Sequence, residues 1–238
     1  MFFTAFFRSL QILQQDRITL LLSLVPILIG GVLYLLLGKW IYASLLVSGQ
    51  AWITSTISAG GFGSFLGYLL ASLLSIALFF IVNLTFVLIV SLIASPFNDL
   101  ISGRVEAILR EKPTDSLQQS MGKMLAGIVK TLWNEIKKIS FLLLITLIHI
   151  LMGVVPLLVP ISIFLATLLL ASAFLDYSWC RHNFTFGQCL QNIKSTPITY
   201  SLGGLLFISL LSIPLVNLLA YPLATIYFTT LFVLNHRD

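Results

Sequence analysis

WIYASLLVSGQAWITSTISAGGFGSFLGYLLASLLSIALFFIVNLTFVLIVSLIASPFN, Trp40–Asn98, contains no Asp, Glu, Lys or Arg. Ile139–Leu175 and Ser195–His236 share this property, and the three stretches together hold 138 of the 238 residues. A water-soluble protein cannot leave so much sequence uncharged, because ionised groups keep its surface dispersed. Charges are costly in hydrocarbon, so a bilayer imposes their absence. The chain therefore reads as an all-α integral membrane protein, and its charges mark the parts that stay in water. A mean hydropathy of +1.05 and only 9% charged residues place it in the same class. The length suits one membrane domain over residues 1–238, without a separate soluble domain.

The net charge of +5 raises nucleic acid as a partner, and the location of the charges excludes it. Seven Lys/Arg fall within Asp99–Lys138, interleaved with Asp99, Glu106, Glu111, Asp115 and Glu135. That is a membrane-flanking segment under the positive-inside rule, which puts it on the cytosolic face. Cys180 and Cys189 fall near Arg181 and Lys194 on the same face and read as reduced thiols. Two cysteines and His182 are too few for a zinc site, so no metal is expected.

Working outward from the uncharged stretches gives an order of elements. Residues 1–15 place Phe3, Phe6, Phe7 and Leu10 at helical spacing, an amphipathic helix in the interface and a retained segment rather than a secretory signal. Residues 18–38, bracketed by Arg17 and Lys39, are long enough for the roughly 30 Å hydrocarbon core. Residues 65–94 form a second, longer transmembrane helix. Ser95-Pro96 predicts a stop, because proline donates no helix hydrogen bond. Asn98 or Asp99 would then cap a new helix, and residues 98–138 read as cytosolic or interfacial helices broken by a polar loop at Glu111–Ser116.

The last hundred residues hold a rough internal repeat. Residues 139–175 carry apolar arms around Pro156-Leu157 and Pro160. Residues 195–235 carry apolar arms around Pro214-Leu215 and Pro222. These are two Pro-turned helical hairpins, joined by an amphipathic helix over 184–194. The uncharged tips fit two readings, a full crossing with a tight turn or a hairpin that enters the bilayer partway and returns.

No catalytic constellation, nucleotide-binding loop or cofactor motif is present, so the chain does not read as an enzyme. His149 and Asn217 sit in uncharged apolar runs, as does Asn83. Each fits an interhelical hydrogen bond, and His149 and Asn217 are also candidates to line a pathway. The expected helix start after Pro96 would expose free N–H groups and the positive end of a dipole, a setting for an oxyanion. Arg17 would stand on the same side if the first two spans are antiparallel, adding a guanidinium.

Ser95-Pro96-Phe97-Asn98-Asp99-Leu100-Ile101, followed by Val105-Glu106, resembles the Pro-Phe-Asn-Gly-Leu-Leu signature of the CysZ sulfate permease family, within the etoposide-induced-protein superfamily. Arg17 resembles the basic opening of that family's first membrane helix. Asp176-Tyr177 with Trp179, His182 and Phe186 resembles its Asp-Tyr segment, and Ile213-Pro214-Leu215-Val216-Asn217-Leu218 resembles its Ile-Pro-Leu-Leu-Asn-Leu turn. Two positions depart from the pattern: Asp16 stands where an Arg is expected, and Asp99 where Gly is common. The resemblance implies uptake of sulfate or a related oxyanion across a bacterial inner membrane for cysteine synthesis. It also implies two long spanning helices, two partly penetrating hairpins and a homo-oligomer. Under it, Arg17, Pro96, Phe97 and Asn98 belong to an anion-binding site. The other reading is a non-transporting membrane scaffold or assembly factor of the same superfamily.

Overall fold

The computed structural model describes residues 1–41, 44, 47–56, 61–153, 155–213 and 216–236. Nine α-helices and one 3₁₀ turn occur among them, with no strand. The helices are α1 (Phe2–Gln15), α2 (Arg17–Ile41), α3 (Val47–Thr56), α4 (Gly61–Leu109), α5 (Leu117–Gly153), α6 (Val159–Arg181), α7 (Phe186–Ser195), α8 (Pro197–Leu211) and α9 (Val216–Asn235). The 3₁₀ turn is Pro156–Leu158. Leu28–Ser91 forms one compact unit, and Met1–Ile27 with Leu92–Asp238 forms another.

Among the described residues, four segments are long and apolar enough to cross a membrane: Arg17–Trp40, Leu88–Leu109, Pro156–Arg181 and Val216–Asn235. Phe65–Leu78 and Pro197–Leu211 are shorter apolar helices. Their side chains face outward in a way water would not tolerate: Leu35 is 70% exposed and Leu157 85%. Apolar surface on this scale is covered by lipid.

α9 is the centre of the larger unit. Its residues from Ala224 to Val233 are all buried, packed by α1, α6 and α8. Phe174 of α6 stacks on Phe228, with ring centroids 5.9 Å apart. Tyr227 meets Phe2 of α1 and Phe207 of α8 edge-on or tilted. On α8, a Cβ at Gly204 would land on the Thr167 carbonyl of α6, so these two backbones touch. Only glycine permits that approach.

Two expectations from the sequence are corrected. Ser95-Pro96 does not end a helix, because α4 runs unbroken from Gly61 to Leu109 with Pro96 inside it. Proline removes one ladder bond, and buried helices tolerate the loss where neighbours enclose the backbone. Ala94 to Asn98 are all buried, so packing holds the helix where local propensity would stop it. Consequently no free helix N-terminus exists at Asn98. Pro222 likewise belongs to no turn, since it lies buried within α9. Pro214-Leu215, and the side chains of His149 and Asn83, lie outside the described residues.

Helix ends follow local chemistry. Asp16 closes α1 and opens α2, accepting from the Thr19 backbone N–H at 2.9 Å. A carboxylate suits that position because it meets free N–H groups and the positive end of the dipole. Thr185 and Gln188 form a reciprocal capping box at the start of α7. α4 ends with Glu111 in the left-handed region (φ 54°) and the Lys112 N–H returning 2.9 Å to the Ala107 carbonyl, a Schellman closure without glycine.

Candidate functional site

A cavity of about 300 Å³ opens where α4, α5 and the loop between them meet the end of α6. Its walls are Pro96, Asp99, Leu100, Gly103, Arg104 and Ala107 of α4, Pro113, Thr114 and Asp115 of the loop, Ser120, Lys123, Met124, Gly127 and Thr131 of α5, and Arg181 of α6. Three cations face two carboxylates across this space, an excess of one positive charge. A water takes roughly 30 Å³ of liquid volume, so a small ion fits together with several waters.

Arg104 is fixed from both sides. Its Nη2 donates to Asp16 Oδ1 at 2.8 Å while Nε donates to Oδ2, a two-pronged pair between the α1–α2 junction and α4. Its remaining nitrogen donates to the Asp115 backbone carbonyl. The guanidinium is 9% exposed. Burial raises the pKa of Asp16, but hydrogen bonds from Arg104 and Thr19 outweigh it and hold the carboxyl at about 2.

Arg181 is fixed in a second network. Its Nη1 lies 3.0 Å from Glu106 Oε2, and its Nη2 donates to the Asp99 carbonyl at 3.1 Å and its carboxylate at 3.4 Å. Gly103 makes room for the guanidinium, since a Cβ there would lie 3.4 Å from Nη2. Buried Glu106 also gathers Arg110 at 2.9 Å and His182 at 2.7 Å. Ser102, one turn earlier on α4, accepts from Thr229 of α9 at 2.9 Å and from Arg181 at 3.3 Å. These contacts tie the cavity wall to the buried centre of the fold.

Lys123 is held more loosely. Its ammonium pairs with the Asp115 carboxylate, and the two side chains are 66% and 42% exposed. A smaller cavity of about 60 Å³ adjoins, sharing Asp99 and Thr131 with the first and lined also by Ser95, Glu135, Asp176, Tyr177 and Cys180. Ser95 and Tyr177 donate to buried Glu135 at 2.8 and 3.4 Å. The three cations line the larger space only, whereas carboxylates line both.

The residues expected from sequence are placed unevenly. Pro96 lines the larger cavity, whereas the side chains of Phe97 and Asn98 are buried beside it and Arg17 is exposed at the start of α2. Asn98 Oδ1 has no hydrogen-bond partner among the described residues, and neither does Asn217 Oδ1, far along the chain at the start of α9. His149 belongs to α5, and its side chain lies outside the described residues. Asp16 and Asp99, the two departures that add negative charge, are each paired to an arginine. Sequence reasoning missed Arg104, Lys123 and Arg181 as a group. Their signal, basic residues amid acidic ones, reads equally as a membrane flank.

Comparison with known proteins identifies the family. The family model described as sulfate transporter CysZ/etoposide-induced protein 2.4 matches residues 5–222. A protein of Pseudomonas syringae pv. tomato named sulfate transporter CysZ is 30% identical over 179 residues, 73% of this chain and 70% of its own. One of the same name from Pseudomonas aeruginosa PAO1 is 30% identical over 68% of this chain and 67% of its own. A third, from Vibrio atlanticus, is 27% identical over 89% of this chain and 82% of its own. With its signature segment forming a wall of the basic cavity, and with a match over most of its length, the chain belongs to the sulfate transporter CysZ/etoposide-induced protein 2.4 family.

Proposed function

We propose that this protein passes sulfate, or a closely related oxyanion, across a bacterial inner membrane, supplying sulfur for cysteine synthesis. The observation that carries the reading is the cavity with three cations, walled by the family's signature segment. Relatives named as sulfate transporters set the substrate class. Transport, not catalysis, is the activity, and no cofactor takes part.

The chemistry follows from how the cations are held. Arg104 and Arg181 are anchored by carboxylates behind them, so their donors are aimed before the anion arrives. Their anchors also moderate the field, which keeps an anion from binding too tightly to leave. Arg17 draws the anion from solution, and the Pro96-Phe97-Asn98 segment shapes the wall, with the buried Asn98 amide available to reorient. His149 and Asn217 line the onward pathway. The working form is a homo-oligomer in the bilayer.

Labelled-sulfate uptake into proteoliposomes tests the reading. The parent protein should carry sulfate down its gradient, and Lys123→Gln and Arg17→Ala should each lower the flux severalfold without lowering the amount of folded protein. No flux by the parent above that of protein-free liposomes would refute the proposal.

A further inference from the structure

In the loop between α4 and α5, Asp115 contacts two of the cavity's cations. Arg104 donates to its backbone carbonyl, and Lys123 pairs with its carboxylate. The two contacts differ in kind. The Arg104 contact is nearly buried and shares a guanidinium already fixed by Asp16. The Lys123 contact joins two side chains that are 66% and 42% exposed, an ion pair that solvent and salt weaken. Arg104 and Arg181 face carboxylates carried on helices or a helix junction, whereas the partner of Lys123 rides on a loop.

We infer that the Asp115 carboxylate is a built-in competitor for the anion: it occupies Lys123, and the incoming oxyanion takes Lys123 by displacing it. This rests on the anion reading given above. The consequence is a threshold for binding. With Asp115 in place, Lys123 is neutralised. With it displaced, Lys123 is left for the anion, while Asp16, Asp99 and Glu106 remain on the two arginines. A monoanion that replaces Asp115 exchanges one single charge for another and gains little. A dianion gains from the whole field, because Coulomb energy scales with its charge. Asp115 thus sets a threshold that any anion must exceed, and the larger Coulomb gain of a doubly charged ion exceeds it more readily.

Isothermal titration of the full-length protein in detergent, with sodium sulfate and sodium nitrate at matched ionic strength, tests this. Asp115→Asn should raise sulfate affinity about two- to fivefold, the range expected when an exposed ion pair no longer has to be broken. Nitrate affinity should rise by a similar factor, because the cost of breaking the pair is common to both anions. Asp115→Ala should repeat both changes, and Asp115→Glu should behave like the parent. Thermal unfolding of each variant confirms that it is folded. Sulfate affinity that is unchanged or weaker in both Asp115→Asn and Asp115→Ala, while Lys123→Gln still loses affinity, overturns the inference and leaves the anion site standing. No sulfate binding by the parent or by any folded variant removes the anion reading and this inference with it.

Discussion

Asp16 and Arg104 lie 88 residues apart in the chain and meet through two parallel hydrogen bonds. The carboxylate that caps the first spanning helix is therefore also the counter-ion of a cavity cation. An acidic residue at this position, which alone would repel an anion, instead fixes a guanidinium of the cavity wall.

Breaking this pair should cost more than a surface ion pair does, because Arg104 is almost buried. Asp16→Ala should destabilise the protein by about 1–3 kcal/mol, the range for removing a charge-assisted hydrogen bond from a partly buried site. Thermal unfolding in detergent measures it. The pH dependence has a definite sign. The folded pKa of about 2 lies below the usual aspartate value of 3.8, so the contribution is complete above about pH 4 and disappears as pH falls toward 2. Asp16→Asn should flatten the acid limb of the stability curve within that window; an unchanged limb would mean the pair carries no stability.

Glu106 bonds the guanidiniums of Arg110 and Arg181, and the His182 ring, at its two oxygens. Glu106→Ala should destabilise the protein by about 1–3 kcal/mol, because two partly exposed guanidiniums lose the buried carboxylate that both of them bond. Glu106→Gln keeps the shape and one acceptor, and should cost less. Equal melting temperatures for the two variants would show that charge is not what matters there.

Gly204→Ala should separate α6 from α8, since its Cβ has nowhere to go but into the Thr167 backbone. A destabilisation of about 1–3 kcal/mol or more is expected from such overpacking. Gly31→Ala is the control. Nothing lies within 4 Å of its Cβ position, and alanine's helix propensity should stabilise by up to about 1 kcal/mol. Comparing the two melting temperatures checks the pair, and a harmless Gly204→Ala would contradict the close approach of the two helices.

The positive-inside rule, applied to the Lys/Arg cluster after α4, predicts that the α4–α5 loop lies on the cytosolic face. With Cys180 and Cys189 replaced by serine, a cysteine at exposed Lys112 should resist an impermeant thiol reagent applied to whole cells and react once the membrane is opened. Rapid labelling in intact cells would reverse the orientation.

The membrane class is legible in the sequence because it is written as an absence: no charge over Trp40–Asn98 can be arranged to suit water. The family is legible too, because its signature is local, from Pro96 to Glu106. What escapes is whatever depends on distant partners. Pro96 signals a helix stop wherever the backbone has water as an alternative, but within α4 the surrounding residues enclose the helix and it continues. Asp16 with Arg104, and Asp99 with Arg181, are joined across 88 and 82 residues. Pattern and spacing carry no record of such pairings. The Asp115 pairing escapes for a different reason, since a carboxylate eight residues from a lysine reads as two ordinary solvated charges.

Backbone contact at Gly204 and Thr167 also bears on mechanics. Side chains that interdigitate can slip by changing rotamer, whereas main chain seated on main chain has no such freedom. Sliding α6 along α8 would first require prising them apart, so the two helices translate and tilt as one piece. Any rearrangement that admits and releases cargo must find its compliance elsewhere. The segment between α4 and α5 offers a looser contact, because the Asp115 carboxylate is held only through the exposed Lys123 ammonium among the described residues and Glu111 turns the chain in a conformation most residues avoid.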